Sequence, residues 1–238
     1  MFKIKIADFI VEIHNKFNYV KKLCSDYIYK GSECSDFIIA INNEDLEEER
    51  RLSENKNLSI GYIESVCVYR KIALEIPLKD AMVMHGSAIS VNDRGIIFIA
   101  PSGIGKTTHT LLWKKVFEDK LEIINGDKPI VKFIDGSPFV FGTPWAGKET
   151  LQKNGSARLT DVCLIFRGTD NSAQKVAPNA ILKHLMRQVY LPNEPTAAMK
   201  TLNLIDQLTK TCNFWIIQCN MDLEAAQLAS DIILNKEV

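Results

Sequence analysis

Neither charge sign is in excess: acidic and basic residues number 29 each, so nothing in the balance marks a nucleic-acid or polyanion partner. No basic tract or charged repeat occurs. The densest charge run, Glu44-Asp45-Leu46-Glu47-Glu48-Glu49-Arg50-Arg51, leads with acid and trails with base, the order that a solvated helix favours. The six cysteines form no Cys-x-x-Cys pair, and Cys67 and Cys163 sit in apolar runs, where cysteine packs as a small hydrophobe. His14, His85, His109 and His184 are equally dispersed, so a zinc-ligand spacing is missing. No apolar run approaches the ~20 residues needed to span a bilayer. The start, Met1 to Asp8, lacks the long apolar core of a secretory leader. These absences predict a cytoplasmic chain with reduced thiols, no membrane and no nucleic-acid partner.

What remains is a chain of 238 residues, 46% apolar, able to bury a core of its own as one large domain or a large one with a smaller companion. Alternation over residues 2–15 predicts one or two strands, and Asp36 to Ile41 another, ended by Asn42-Asn43. Residues 44–52 read as a helix, Ser53 to Lys56 as a polar break, and Ile60 to Ile76 as a helix ended by Pro77. Ala81 to Val91 reads as a single strand, and Asn92-Asp93-Arg94-Gly95 as a hairpin turn into the buried strand Gly95 to Ala100. Beyond it the pattern predicts a helix over Thr107–Phe117, a strand over 121–124, a hairpin over 129–142 and a strand over 160–166. Helices over 181–190 and 201–210, a strand over 214–219 and a helix over Leu223–Asn235 complete it. The hairpins argue for a mixed α/β domain rather than regular βαβ alternation.

Ala100-Pro101-Ser102-Gly103-Ile104-Gly105-Lys106-Thr107 has the composition of a phosphate-binding loop. Gly103 and Gly105 let backbone amides turn onto an anion, and a helix N-terminus follows them. Lys106 can reach the outer phosphates of a nucleotide triphosphate, and Thr107 offers a hydroxyl to Mg²⁺. Ala100 replaces the first glycine of the usual pattern. The apolar strand entering and the helix leaving make Ser102 to Thr108 the nucleotide contact.

Phosphoryl transfer also needs an acid for the metal or the attacking hydroxyl. Asp127, in Asn125-Gly126-Asp127 after an apolar strand, is the candidate for both. His85 could orient Asp127 or touch a phosphate; a lone histidine can equally be structural. His109, on the loop's own helix, could face solvent. In Gly142-Thr143-Pro144-Trp145-Ala146-Gly147-Lys148-Glu149, a binding loop and a core plug with solvated charges are equally good readings.

Taken in order, His85-Gly86-Ser87-Ala88, Thr107-Thr108-His109-Thr110-Leu111-Leu112-Trp113, Asn125 to Pro129 and Gly142 to Glu149 resemble the HPr kinase/phosphorylase-related kinases. These lie within the HPr kinase and phosphoenolpyruvate carboxykinase superfamily. The resemblance covers roughly residues 82–167, with weaker similarity in Gly61 to Ser65 and Tyr69 to Lys71. It implies an HPr-kinase-like nucleotide-binding domain over 80–238, with its phosphate loop between a small antiparallel sheet and a larger mixed one. Residues 1–79 would be a small N-terminal α+β segment. It further implies ATP and Mg²⁺, with phosphate passed to the hydroxyl of a serine or small molecule, or alternatively oxaloacetate chemistry or a non-catalytic nucleotide-binding role. Lys106 would hold the phosphates and Thr107 the Mg²⁺, while His85 and Lys148 join Asp127 as candidate catalytic residues. A homo-oligomer is implied too. The chain departs from those kinases at Gly126, where they carry the first of two adjacent acids, and it lacks their phosphorylase signature.

Overall fold

Phe2, Ile4 and Ile6 turn to one side of the first strand, and the chain reverses at Ala7 and Asp8, both with positive φ. That reversal pairs β1 (Phe2–Ile6) antiparallel with β2 (Phe9–His14), and β3 (Phe37–Ala40) adds in parallel to β2. Three helices accompany this sheet: α1 (Asn18–Leu23), α2 (Asn43–Leu52) and α3 (Ile60–Glu75). Asn42 and Asp45 form a reciprocal capping box at the start of α2, and Arg50 and Arg51 occupy its last turn. Pro77 lies just past the end of α3, within a single 3-10 turn at Ile76–Lys79. This computed structural model describes residues 1–53, 55 and 57–234. The polar break expected over 53–56 lies partly outside the described residues, and Asn235 wholly outside them.

The rest of the chain builds a nine-stranded sheet. Its strands are β4 (Ala81–Val83), β5 (Ser87–Val91), β6 (Arg94–Ile99), β7 (Leu121–Asn125), β8 (Ile130–Ile134), β9 (Ser137–Phe141), β10 (Ser156–Arg167), β11 (Ser172–Val176) and β12 (Asn213–Cys219). Four helices alternate with them: α4 (Lys106–Phe117), α5 (Leu182–Met186), α6 (Pro195–Thr211) and α7 (Leu223–Leu234). The long β10 joins two parts. Its first residues pair antiparallel with β9, extending the antiparallel set of β4, β8 and β9. Its remainder runs parallel between β6 and β12, in a mixed set completed by β5, β7 and β11. The molecule is a mixed α/β protein.

One face of the mixed set packs α4 and α7 through Phe98, Trp113, Trp215, Ala226 and Ile233. The other packs α5 and α6 through Ile97, Val162, Leu185, Leu204 and Leu208. A third core joins β1–β3 and α3 to Ala81, Val83, Ile130 and Phe141, so the N-terminal segment shares its core with the antiparallel set. Among the described residues, no helix is long and apolar enough to cross a membrane.

Three expected elements differ. The strand expected over 81–91 is two strands in different parts of the sheet, with the chain crossing at Met84 to Gly86. A Cβ on Gly86 would lie 2.9 Å from Phe98 O, so only glycine passes there without displacing β6. Both strands are buried, so no alternation betrays the break. The helix expected over 181–190 stops at Met186 because the next residues turn to the sheet. Val189 bridges Met84, and Tyr190 N donates to Val83 O at 3.0 Å. In addition, α6 begins earlier than the expected 201–210, with Pro195 at its start and the Glu194 carboxylate accepting from Thr196 N and Ala197 N.

Candidate active site

The segment from Ala100 to Gly105 connects the C-terminal end of β6 to α4, in the parallel centre of the sheet. In open α/β sheets, that end of a strand is where ligands bind. Gly103 and Gly105 have φ of +80° and +116°, and a Cβ on either would meet nothing within 4 Å. Backbone conformation, not space, therefore requires glycine at both. Gly105 caps α4 without any side-chain hydrogen bond, which leaves the positive end of the helix available to an anion. Lys106 is buried and its Nζ folds back to donate to Ala100 O at 2.9 Å. Burial lowers its pKa, and the negative charge of Asp127 opposes that shift. Ser102 and Gly103 are exposed, while Ile104, Gly105, Thr107 and Thr108 are half-buried. Among the described residues, the Thr107 hydroxyl makes no hydrogen bond. At the end of β10, Arg167 donates to Gly103 O at 3.2 Å and to Ile104 O at 3.4 Å. Sequence reading missed this arginine, since only the β6–β10 pairing reveals that it reaches the loop.

Asp127 is held by its turn. The buried amide of Asn125 accepts from Asp127 N at 2.9 Å and Lys128 N at 2.7 Å, and donates to Thr143 O at 2.9 Å. Gly86 N donates to Asp127 O at 2.9 Å, bringing His85 alongside. His85 Nε2 then lies 3.2 Å from Asp127 Oδ1, and Lys128 Nζ lies 2.9 Å from Oδ2. Burial pushes the Asp127 carboxyl up, but the His85 hydrogen bond and the Lys128 charge outweigh it, so its pKa is below the ordinary value. His85 and Asp127 are therefore together, although His85 lies between β4 and β5 rather than within one strand. A buried chain of hydroxyls ties this turn to α4. Thr110 Oγ1 is 2.8 Å from Ser87 Oγ, which donates to Asn125 O at 3.4 Å.

In the stretch after β9, Trp145 is the core plug. Its Nε1 donates to Ser65 O at 2.9 Å and its ring lies 5.6 Å from that of Tyr69. Gly147, at φ +82°, packs on Asp127, since a Cβ there would stand 3.2 Å from Asp127 Cβ. Lys148 and Glu149 are exposed, and Lys148 bonds neither Asp127 nor His85. Lys148 instead shares a cavity of about 810 Å³ with His85, Asp127, Lys128, Trp145, Arg187 and the α3 residues Tyr62, Tyr69 and Arg70. No residue of the Ala100–Thr108 loop lines that cavity.

Gly126 is more than an acid replaced by glycine. A Cβ there would stand 2.8 Å from Ala146 O and 3.3 Å from Leu151 Cβ, so the 142–151 stretch lies where a side chain would go. Gly126→Asp is accordingly expected to cost about 1–3 kcal/mol through overpacking. The variant should melt earlier and gain no turnover, as thermal unfolding and an ATP assay would register.

His109 does not face solvent. It is buried, with Nε2 accepting from Trp113 Nε1 at 2.9 Å and its ring 5.1 Å from that of Phe98. Its Nδ1 has no partner, and burial pulls its pKa down to about 4. The unfolded imidazole takes a proton near 6.5 and the folded one refuses it until about 4. Between those values the unfolded state binds more protons, so stability falls as pH falls. His109→Phe should shrink the stability lost between pH 7 and pH 5 by about 2 kcal/mol, read from urea unfolding at both pH values. An unchanged loss would remove His109 as its source.

Among the described residues, no cluster of three or more His, Cys, Asp or Glu could hold a metal alone. Thr107 and Asp127 fit a more open demand. Mg²⁺ takes hard oxygen ligands, usually one or two from the protein, with water and phosphate oxygens filling the rest. An ionised Asp127 and an unengaged Thr107 hydroxyl are that kind of donor.

No family model and no curated protein matches the chain. Among solved structures it is similar to the Hpr(Ser) kinase/phosphatase from Coxiella burnetii, over 66% of this chain and 99% of that one, at 10% identity and a TM-score of 0.38. A likeness that loose carries no argument, so the functional reading rests on the residues themselves.

Proposed function

We propose that this chain is an ATP- and Mg²⁺-dependent phosphotransferase that moves the γ-phosphate onto a hydroxyl. The supporting observation is the position of Asp127. It is held by His85 and Lys128, its turn is tied to the loop's helix α4 by the Thr110–Ser87–Asn125 chain, and it lines a cavity that the loop does not enter. An acid tied to the helix of a phosphate loop and facing a separate cavity has room beside it for an acceptor.

In this reading the amides at the start of α4 and the Lys106 ammonium hold the phosphates and carry the charge that builds during transfer. Arg167 steadies the loop by binding two of its carbonyls. Thr107 and Asp127 would hold Mg²⁺, whose chemistry there would be the neutralisation of phosphate charge. The acceptor oxygen bonds to the γ-phosphorus as the bond to the β–γ bridging oxygen breaks. That electron pair leaves with ADP, and the hydroxyl proton passes to Asp127. A carboxylate with a lowered pKa is a weak base, so Asp127 acts mainly by orienting the hydroxyl and takes the proton late. His85 and Asn125 position it.

The test is transfer of label from γ-labelled ATP, with Mg²⁺, to a panel of serine peptides and small hydroxyl compounds. The reading expects an acid-stable phosphate ester on at least one acceptor. ATP consumption that depends on oxaloacetate would replace it with carboxykinase chemistry, and ATP binding without turnover would replace it with a sensor.

A further inference from the structure

The cavity beside Asp127 has a charge that its pairings make legible. Four cationic side chains line it: Arg70, Lys128, Lys148 and Arg187. Arg70 is spent, because its Nε lies 2.7 Å from Oε2 of the buried Glu49. Lys128 is spent on Asp127 at 2.9 Å, and Asp127 is the only carboxylate among the lining residues. Lys148 and Arg187 remain, both exposed, and neither side chain has an ion pair or hydrogen bond among the described residues. The lining thus carries two uncompensated cations and no uncompensated anion.

Their placement adds direction. Arg187 directly precedes Gln188, whose carbonyl accepts from His85 N at 2.6 Å, so the backbone fixes Arg187 next to the His85–Asp127 pair. Lys148 follows Gly147, which packs on Asp127 itself. One cation thus comes from the turn after α5 and the other from the stretch after β9, each attached beside the His85–Asp127 pair. Much of the remaining wall is aromatic and comes from α1 and α3 as well as from the site: Tyr19, Tyr62, Tyr69, Trp145 and Tyr190. Burial and the charge of Asp127 push the Tyr69 phenol, and also that of Tyr62, above the ordinary value. Aromatic rings set at angles to one another, with two unpaired cations beside them, suit an anion with an organic body.

We infer that the phosphate acceptor is an anionic hydroxyl compound, with its carboxylate or phosphate group received by Arg187 and Lys148 and its hydroxyl presented to Asp127. This rests on the phosphotransferase reading and adds the acceptor's charge class and the residues that select it. The chemistry is shared by a free hydroxy acid and by a serine flanked by acidic residues. The cavity volume lies within the ~300–1,000 Å³ of ordinary ligand pockets, which suits either.

The experiment measures kcat and KM for label transfer to matched acceptors: serine peptides with acidic, neutral or basic flanks, and small hydroxy acids beside their amides. Acidic acceptors are expected to exceed their neutral partners by about tenfold or more in kcat/KM, the scale of one charge-assisted contact. Preference for the acids over the peptides, or the reverse, names the source. Arg187→Ala is expected to raise KM for the anionic acceptor about tenfold with kcat within twofold, and Arg187→Lys to recover part of it. Arg187→Glu should turn the preference toward basic acceptors, with thermal melting confirming that each variant folds. Equal use of neutral and acidic acceptors, or an Arg187→Glu variant with the wild-type preference, overturns the inference while leaving the phosphotransferase reading intact. Absence of transfer to any acceptor overturns both.

Discussion

Asp127→Asn is expected to lower phosphate transfer by about 10²–10⁴-fold, the span seen when a positioned acid–base group is lost. The substitution keeps the shape and the turn, since Asn125 binds the backbone amides of residues 127 and 128 rather than their side chains. What it removes is the charge. That charge opposes the lowering of the Lys106 pKa and balances Lys128. Binding of ATP without metal should therefore survive, the tightening by Mg²⁺ should shrink, and the main loss should fall on kcat. If Asp127 served only its turn, Asn would serve nearly as well and kcat would stay within a few-fold. Asn125→Ala gives the contrast. It leaves the carboxylate but frees the turn, and should lower both kcat and melting temperature, because a buried amide with two donors and an acceptor engaged is lost.

Lys106→Met should cost about 10²–10³-fold in kcat/KM for ATP, the magnitude of removing one preorganised charge stabiliser. Methionine keeps the unbranched stem, so the buried path along the loop stays filled. The ammonium also donates to Ala100 O, and losing that bond alone would cost only about 1 kcal/mol of stability. Stability and activity therefore separate. A melting point close to wild type with turnover gone is the expected pattern, whereas loss of both in proportion would make Lys106 a structural residue.

The loop was the most legible part of the chain, because its demands are local. Two glycines at positive φ, a lysine and a threonine at a helix start are all encoded within eight positions of one another. Asp127 was legible by its place after an apolar strand. Of the groups that hold it, Asn125 and Lys128 are its sequence neighbours, whereas the bonds of Asn125 to Thr143 and of Gly86 to Asp127 exist only once the tertiary fold brings distant strands together. The crossing at Gly86 was hidden because β4 and β5 are both buried, and burial erases the alternation by which strands are read. The cavity was invisible for a related reason. Tyr62, Tyr69 and Arg70 belong to the N-terminal segment, where the resemblance is weak, and Arg187 to the turn after α5, which carries no motif, so nothing in the sequence joins them. His109 misled differently. A histidine on an otherwise ordinary helix face gives no sign that Phe98 and Trp113 enclose it. Local chemistry was readable; chemistry assembled from distant strands was not.

The central claim, that Ala100–Thr107 holds a nucleotide triphosphate, is tested most directly by calorimetric titration of the full chain with ATP, with and without Mg²⁺, beside Lys106→Met. The account predicts one ATP per chain, bound more tightly with Mg²⁺, and binding weakened at least about tenfold by the substitution. No heat of binding in the wild type, or equal binding by a folded Lys106→Met variant, would contradict it.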